Sequence, residues 1–292
     1  MSEIEHLIPS QDQVGETPIW VPAEQALYWI DLEGSRVHRF DPGSGEQARW
    51  DLDVQVTALA RRASGGWVLA TKTGLAFWDQ QANASQFIAD PTADNEAIRF
   101  NDTTVDSRGR LVAGTANVVQ FDAPDGKLYR LDADLSLEVI DEGYAVSNGM
   151  AFSPDGGTLY VTDMFNNRIV ALDYDAEAGT VSNKRTFADV PVETGYPDGL
   201  IVDMAGFVWS AHWAGARVTR YDPDGRIERY IPIPVTNVTC LGFGGADMND
   251  LYVATAWFMM TDEQRQAEPQ AGDLFRLRTD DIHGQIENEF AG

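Results

Sequence analysis

One short pattern is written six times in this chain. Its clearest copy covers residues 146–163: a short apolar strand opening at Asn148, a Ser153-Pro154-Asp155-Gly156-Gly157 turn, and a second strand, Leu159-Tyr160-Val161, rich in β-branched and aromatic residues. Other copies open at Glu16, Thr57, Asn101, Asp198 and Thr239. The second strands are centred at Tyr28, Val68, Leu111, Tyr160, Trp209 and Tyr252. A spacing of about 40 to 50 residues is that of a four-stranded propeller blade and is too long for a leucine-rich or ankyrin repeat. Third and fourth strands follow in most copies, for example Val37-His38-Arg39-Phe40 and Val218-Thr219-Arg220-Tyr221, each closed by a Gly/Pro/Asp turn. The repeat predicts an all-β chain: a six-bladed β-propeller with four-stranded blades and a central metal site, spanning residues 1–292 as a single domain.

Alternation in residues 3–8, Glu3-Ile4-Glu5-His6-Leu7-Ile8, predicts an N-terminal strand that completes the last blade and covers its edge. Residues 90–98 read as a loop. Longer insertions follow the second strands at residues 117–127 and 258–272, the latter with helix formers in its middle. Antiparallel return puts those insertions on the same face as the openings of the first strands, together with the second-strand ends at Lys72, Met164, His212 and Trp213. Loops on a rigid scaffold are where function concentrates.

Composition narrows the partners. There are 46 acidic and 21 basic residues, a formal net charge of −25, and such a surface repels phosphate backbones and anionic lipid. Nucleic-acid and membrane partners are therefore disfavoured. The excess suits a cation-binding cleft, and it also suits plain solubility or salt adaptation. No apolar run is long enough to span a bilayer. With an acidic N-terminus and a single cysteine, Cys240, the expectation is a cytoplasmic monomer or small homo-oligomer without disulfides.

The six opening residues, Glu16, Thr57, Asn101, Asn148, Asp198 and Thr239, each lie ahead of the apolar centre of their second strand by nearly the same distance. Equivalent positions on the innermost strands of a propeller form a ring, and this ring is wholly polar. Two carboxylates and two amides, with threonine hydroxyls between them, are hard oxygen donors suited to calcium, magnesium or manganese. Zinc or iron is a less natural choice for a set without histidine. Asn-Gly and Pro-Asp-Gly are also ordinary turn sequences, and only the shared register raises these residues above that reading. Cys240 reads as a buried small hydrophobe, and Trp257, Phe258, Met259 and Met260 read as core beneath the long insertion. Nucleophile-elbow, HExxH, P-loop and dinucleotide motifs are missing, so a nucleotide cofactor is unsupported.

An ordered set of segments then points to a family. Gly15-Glu16-Thr17-Pro18-Ile19-Trp20, Arg99-Phe100-Asn101-Asp102, Ser147-Asn148-Gly149, Ser153-Pro154-Asp155-Gly156, Ser182-Asn183-Lys184-Arg185 and Tyr196-Pro197-Asp198-Gly199 resemble the signatures of the senescence-marker-protein/gluconolactonase family, which includes regucalcin and sugar-acid lactonases. The resemblance covers nearly the whole chain. It implies one divalent metal ion, calcium first with zinc, manganese, magnesium or iron as alternatives, held by Glu16, Asn148 and Asp198. It also implies hydrolysis of an aldonolactone, with Arg99 and Asn101 contacting substrate. Asp198, a carboxylate at the metal, is the candidate general base, and His212, Trp213, Trp257 and Phe121 complete the candidate substrate contacts. Two departures stand out. Thr17 replaces a usual glycine, and Ala116-Asn117-Val118-Val119-Gln120-Phe121 replaces a segment that is acidic in animal sugar lactonases, which points to a less hydroxylated substrate. A phosphotriesterase-like hydrolase on the same site and a non-catalytic calcium- or partner-binding propeller are the alternatives.

Overall fold

The computed structural model describes residues 4–292 and consists of six antiparallel sheets of four strands each, the six-bladed β-propeller that the repeat predicts. Blade one comprises Gly15–Val21, Ala26–Asp31, Arg36–Phe40 and Gln47–Asp51; blade two comprises Val56–Arg61, Trp67–Thr71, Gly74–Asp79 and Ala84–Ala89. Blade three runs through Ile98–Val105, Leu111–Asn117, Gly126–Leu131 and Leu137–Tyr144, and blade four through Ser147–Phe152, Thr158–Asp163, Arg168–Asp175 and Thr180–Asp189. Blade five holds Tyr196–Val202, Val208–Trp213, Arg217–Tyr221 and Ile227–Pro232. Asn237–Gly244, Asp250–Ala256 and Leu274–Arg278 make blade six, and its fourth strand is Glu5–Ile8, which sets Glu5 opposite Arg276. The expected N-terminal completion of the last blade is thus observed. Glu3, expected in the same strand, lies outside the described residues.

The chain divides into two compact units: residues up to Asp51 with Val190–Ile286, and Leu52–Asp189 with Glu287–Gly292. The first holds blades one, five and six. Trp20, Leu27, Trp29, Phe40, Tyr252 and Leu274 form one of its buried clusters, with Trp20 stacked on Tyr252 at 6.2 Å. The second holds blades two, three and four, with Phe100, Leu111, Leu131 and Phe290 in one cluster and Val112, Tyr144, Phe152 and Val161 in another. Each fully buried large side chain of this kind contributes about 1.5–3 kcal/mol through removal of apolar surface from water.

Within each blade the fourth strand is the most exposed. Ser147–Phe152 is buried at every residue, whereas Gln47–Asp51 alternates exposed and half-buried positions. Buried carboxylates tie strands together in both units. Asp203 accepts from Trp209 Nε1 at 2.9 Å and Arg220 Nη2 at 2.6 Å, and Asp106 accepts from Tyr174 Oη at 2.7 Å and Arg110 Nε at 2.7 Å. Their partners satisfy lone pairs that would otherwise be costly to bury.

The helix formers of the long insertion form Asp262–Ala267. It is entered through a capping box in which Thr261 and Gln264 exchange side-chain and backbone hydrogen bonds. One expectation fails here. Trp257 and Met260 pack partly against the core, but Phe258 and Met259 are exposed, because the chain turns outward at Met259, which has φ of 63°. Among the described residues no helix is long and apolar enough to cross a membrane.

Candidate functional site

The first strands share a defect that aligns the candidate residues. In every blade the residue just before the candidate pairs with the end of the second strand: Gly15 with Asp31, Val56 with Thr71, Phe100 with Thr115, Ser147 with Asp163, Pro197 with His212, and Val238 with Thr255. At the candidate or immediately after it the ladder slips. Slips fall between Glu16 and Ile19, Val56 and Ala58, Phe100 and Thr103, Asn148 and Met150, Pro197 and Leu200, and Val238 and Cys240. A bulge leaves a residue unpaired and re-aims its side chain: Thr57, Asn101, Asp198 and Thr239 lie within the slip, while Glu16 and Asn148, still paired with Ile30 and Thr162, stand immediately before it, so all six flank the same irregularity of their blades.

In the first unit three of these strands are neighbours, with the strand of Thr239 between those of Glu16 and Asp198. Thr239 Oγ1 donates to the carbonyl of Gly15. Gly199, following Asp198, lies so close to blade six that a Cβ there would sit 2.6 Å from Cys240 Sγ and 2.8 Å from the Thr239 carbonyl. The two carboxylates are buried, Glu16 at 8% and Asp198 at 2% exposure. In the second unit the strands of Thr57, Asn101 and Asn148 are likewise neighbours through blade three. Asn101 Nδ2 donates to the carbonyl of Ser147 at 3.2 Å. Ser147 Oγ donates to the carbonyl of Thr115 at 2.6 Å, and Asn148 Nδ2 lies 3.5 Å from Met164 Sδ.

Glu16, Asp198 and Thr239 in the first unit and Thr57 and Asn148 in the second are buried, with Asn101 half-buried, and the oxygens of such side chains suit a hard divalent cation. Among the described residues no three His, Cys, Asp or Glu side chains cluster closely enough to share an ion. A cation bound by either carboxylate therefore needs neutral oxygens as well.

The other expected contacts fall in different settings. Arg99 is half-buried on the first strand of blade three, opposite Ala116. His212 is 1% exposed, its Nδ1 lies 3.0 Å from the Thr194 carbonyl, and its Nε2 has no hydrogen-bond partner among the described residues. A carbonyl can only accept, so Nδ1 carries the hydrogen. Burial depresses His212 to about 4, opposed by the Thr194 bond and assisted by Arg217. Trp213 is half-buried opposite Tyr196. Trp257 donates Nε1 to the Gln11 carbonyl at 3.1 Å and lies under the Arg265 guanidinium at 3.9 Å, so its indole anchors the long insertion. Phe121 is exposed and stacks on Phe165.

Sequence reasoning missed Asp102 and Phe165. Asp102 lies in the slip beside Asn101, and burial raises its carboxyl to about 6 against a 2.7 Å bond from the Thr103 amide. Nothing in the sequence marks it, since the slip that re-aims it falls in a run with no glycine or proline. Phe165 sits in a three-residue 3-10 turn, Met164–Asn166, too short to carry periodicity.

Comparison with known proteins is consistent across sequence and structure. Residues 14–257 match the model of the SMP-30/Gluconolactonase/LRE-like region. A pentonolactonase of Haloferax volcanii is 33% identical over 94% of both chains, and a 6-deoxy-6-sulfogluconolactonase of Pseudomonas putida is 35% identical over 96% of this chain and 95% of its own. The crystal structure of a calcium-binding protein, regucalcin, from Agrobacterium tumefaciens superposes with a TM-score of 0.94 at 26% identity, covering 99% of this chain and 98% of that one. On these matches the chain belongs to the SMP-30/gluconolactonase/LRE-like family.

Proposed function

We propose that this chain is a lactonase that hydrolyses the ring ester of a sugar-acid or related lactone. The observation that carries the reading is the repeated ladder slip at or beside Glu16, Asn101, Asn148 and Asp198 in a family whose named members include lactonases. In this reading Glu16, Asn148 and Asp198 hold one divalent cation, calcium first. When bound, such an ion supplies Lewis acidity toward an acyl oxygen.

The chain's own groups do the rest. Arg99 and Asn101 hold oxygens of the substrate: a guanidinium donates along two parallel directions and an amide both donates and accepts, so together they orient the ring. The Asp198 carboxylate takes the proton of a water as its oxygen bonds to the acyl carbon. Cleavage of the ring C–O bond then leaves an alkoxide that regains a proton, giving the open hydroxy acid. Burial of Asp198 excludes bulk water and strengthens each electrostatic contact.

The test is acid release from a panel of five- and six-membered lactones before and after chelation, with calcium, zinc, manganese, magnesium and iron added back singly. Hydrolysis that chelation abolishes and one of these ions restores supports the reading. A protein that turns over organophosphate triesters far faster than every lactone, or binds calcium without hydrolysing anything, overturns it.

A further inference from the structure

From a stacked aromatic pair, Phe121 and Phe165, we infer that the preferred substrates are neutral lactones carrying an apolar alkyl or aryl substituent on the ring; this rests on the lactonase reading above. The two rings lie 5.4 Å apart with planes inclined by 22°. Phe121 is 46% exposed and the nearby Val119 73%.

Both rings stand on rigid mounts that rise from the strands carrying the candidate contacts. The segment bearing Phe121 leaves its strand after Asn117, which pairs with Ile98 next to the Arg99–Ala116 pair, and Val118 N donates to the Ala97 carbonyl at 2.8 Å. Asn117 then fixes the turn: its Oδ1 accepts from the amides of Val119 at 3.0 Å and Gln120 at 2.8 Å, and its Nδ2 donates to Asp125 at 2.9 Å. Phe165 follows Met164, whose sulfur lies against Asn148. Its turn is held by Asp163, which accepts from the amide of Ala145 at 2.9 Å and from Arg168 Nη2 at 2.8 Å.

A loop that could collapse would bury such rings against the body. This one is held by the bonds of Asn117 and Val118, and keeping fixed aromatic surface in water is unfavourable unless something covers it. The segment also shapes the charge of what can lie there. Residues 117–126 contain Asp122 and Asp125 and no Lys, Arg or His, so a substituent bearing an anion is repelled there, while the exposed aromatic faces favour hydrocarbon. An uncharged hydrocarbon group fits both facts.

The experiment measures kcat/KM for two lactones of the same ring size, one polyhydroxylated and one carrying a phenyl or pentyl group, in the unaltered protein and in Phe121→Ala, Phe165→Ala, Phe121→Leu and Phe121→Asp. The expected result is a preference for the substituted lactone that falls about tenfold in either alanine variant, the scale at which hydrophobic pockets discriminate. Phe121→Leu, which keeps apolar area, retains most of the preference, and Phe121→Asp loses it. Turnover of lactones with the same ratio in all five proteins overturns the inference and leaves the lactonase reading standing. Failure to turn over any lactone overturns both.

Discussion

The first and fourth strands of a blade are made from the same chain by the same turns, yet they solve different problems. Gly15–Val21 is buried almost throughout and breaks its ladder just after Glu16, while Gln47–Asp51 keeps an unbroken ladder and alternates exposure. A polar residue in the outer strand is a solvated face. In the inner strand it sits in a low-dielectric interior where each donor or carboxylate is costly to bury. The polar inner positions are thus the ones that call for a functional explanation.

Four outcomes would sharpen or break that contrast. The largest effect belongs to the inner carboxylate: Asp198→Asn should lower kcat/KM for lactone hydrolysis about 10³-fold, as loss of a general base does, with Asn148→Ala also severely impaired. Initial rates followed by acid release decide it, and near-normal activity in both would remove the inner strands from the chemistry.

Next is His212, at the end of a second strand. Its folded pKa of about 4 lies below the ordinary 6.5, so the unfolded chain takes up a proton first as pH falls. The stability it contributes is complete above pH 6.5, is lost between 6.5 and 4, and amounts to about 3 kcal/mol at most. His212→Asn, which keeps a donor for the Thr194 carbonyl, should flatten that slope. Urea midpoints of both proteins at pH 7, 5.5 and 4 test it.

A smaller effect comes from close packing between first strands. A Cβ on Gly242 would lie 1.9 Å from the Pro18 carbonyl, so Gly242→Ala should cost about 1–3 kcal/mol, read as a lowered midpoint. Smallest is the outer strand: Phe87, 50% exposed in Ala84–Ala89, should tolerate Phe87→Ser within about 0.5 kcal/mol. A large loss there would mean that the outer strand is not the passive face its exposure suggests.

The blade count, the strand order and the N-terminal completion were legible because each leaves a periodic trace: alternation, a turn signature, a repeat length. The ladder slips were not. A shift of one or two residues leaves an apolar strand looking like an apolar strand, and only Gly149 and Gly199, glycines inside strands, hinted at it. At Thr17 even that hint is missing, since a threonine holds φ of 51° there. Phe258 and Met259 misled for the opposite reason: hydrophobicity marks what can be buried, and the outward turn at Met259 decides what is. The six polar opening residues stood out through shared spacing, whereas Phe165 had no spacing to share.

The slips also bear on how such a chain can change over generations. Alternation has one phase before the irregularity and another after it, so a single short strand can aim an acid inward at its start and still lock hydrocarbon against the adjoining blade further on. Substituting a residue there alters one side chain. Deleting one would invert the facing of everything downstream in that strand, which makes the length of these six segments harder to vary than their composition.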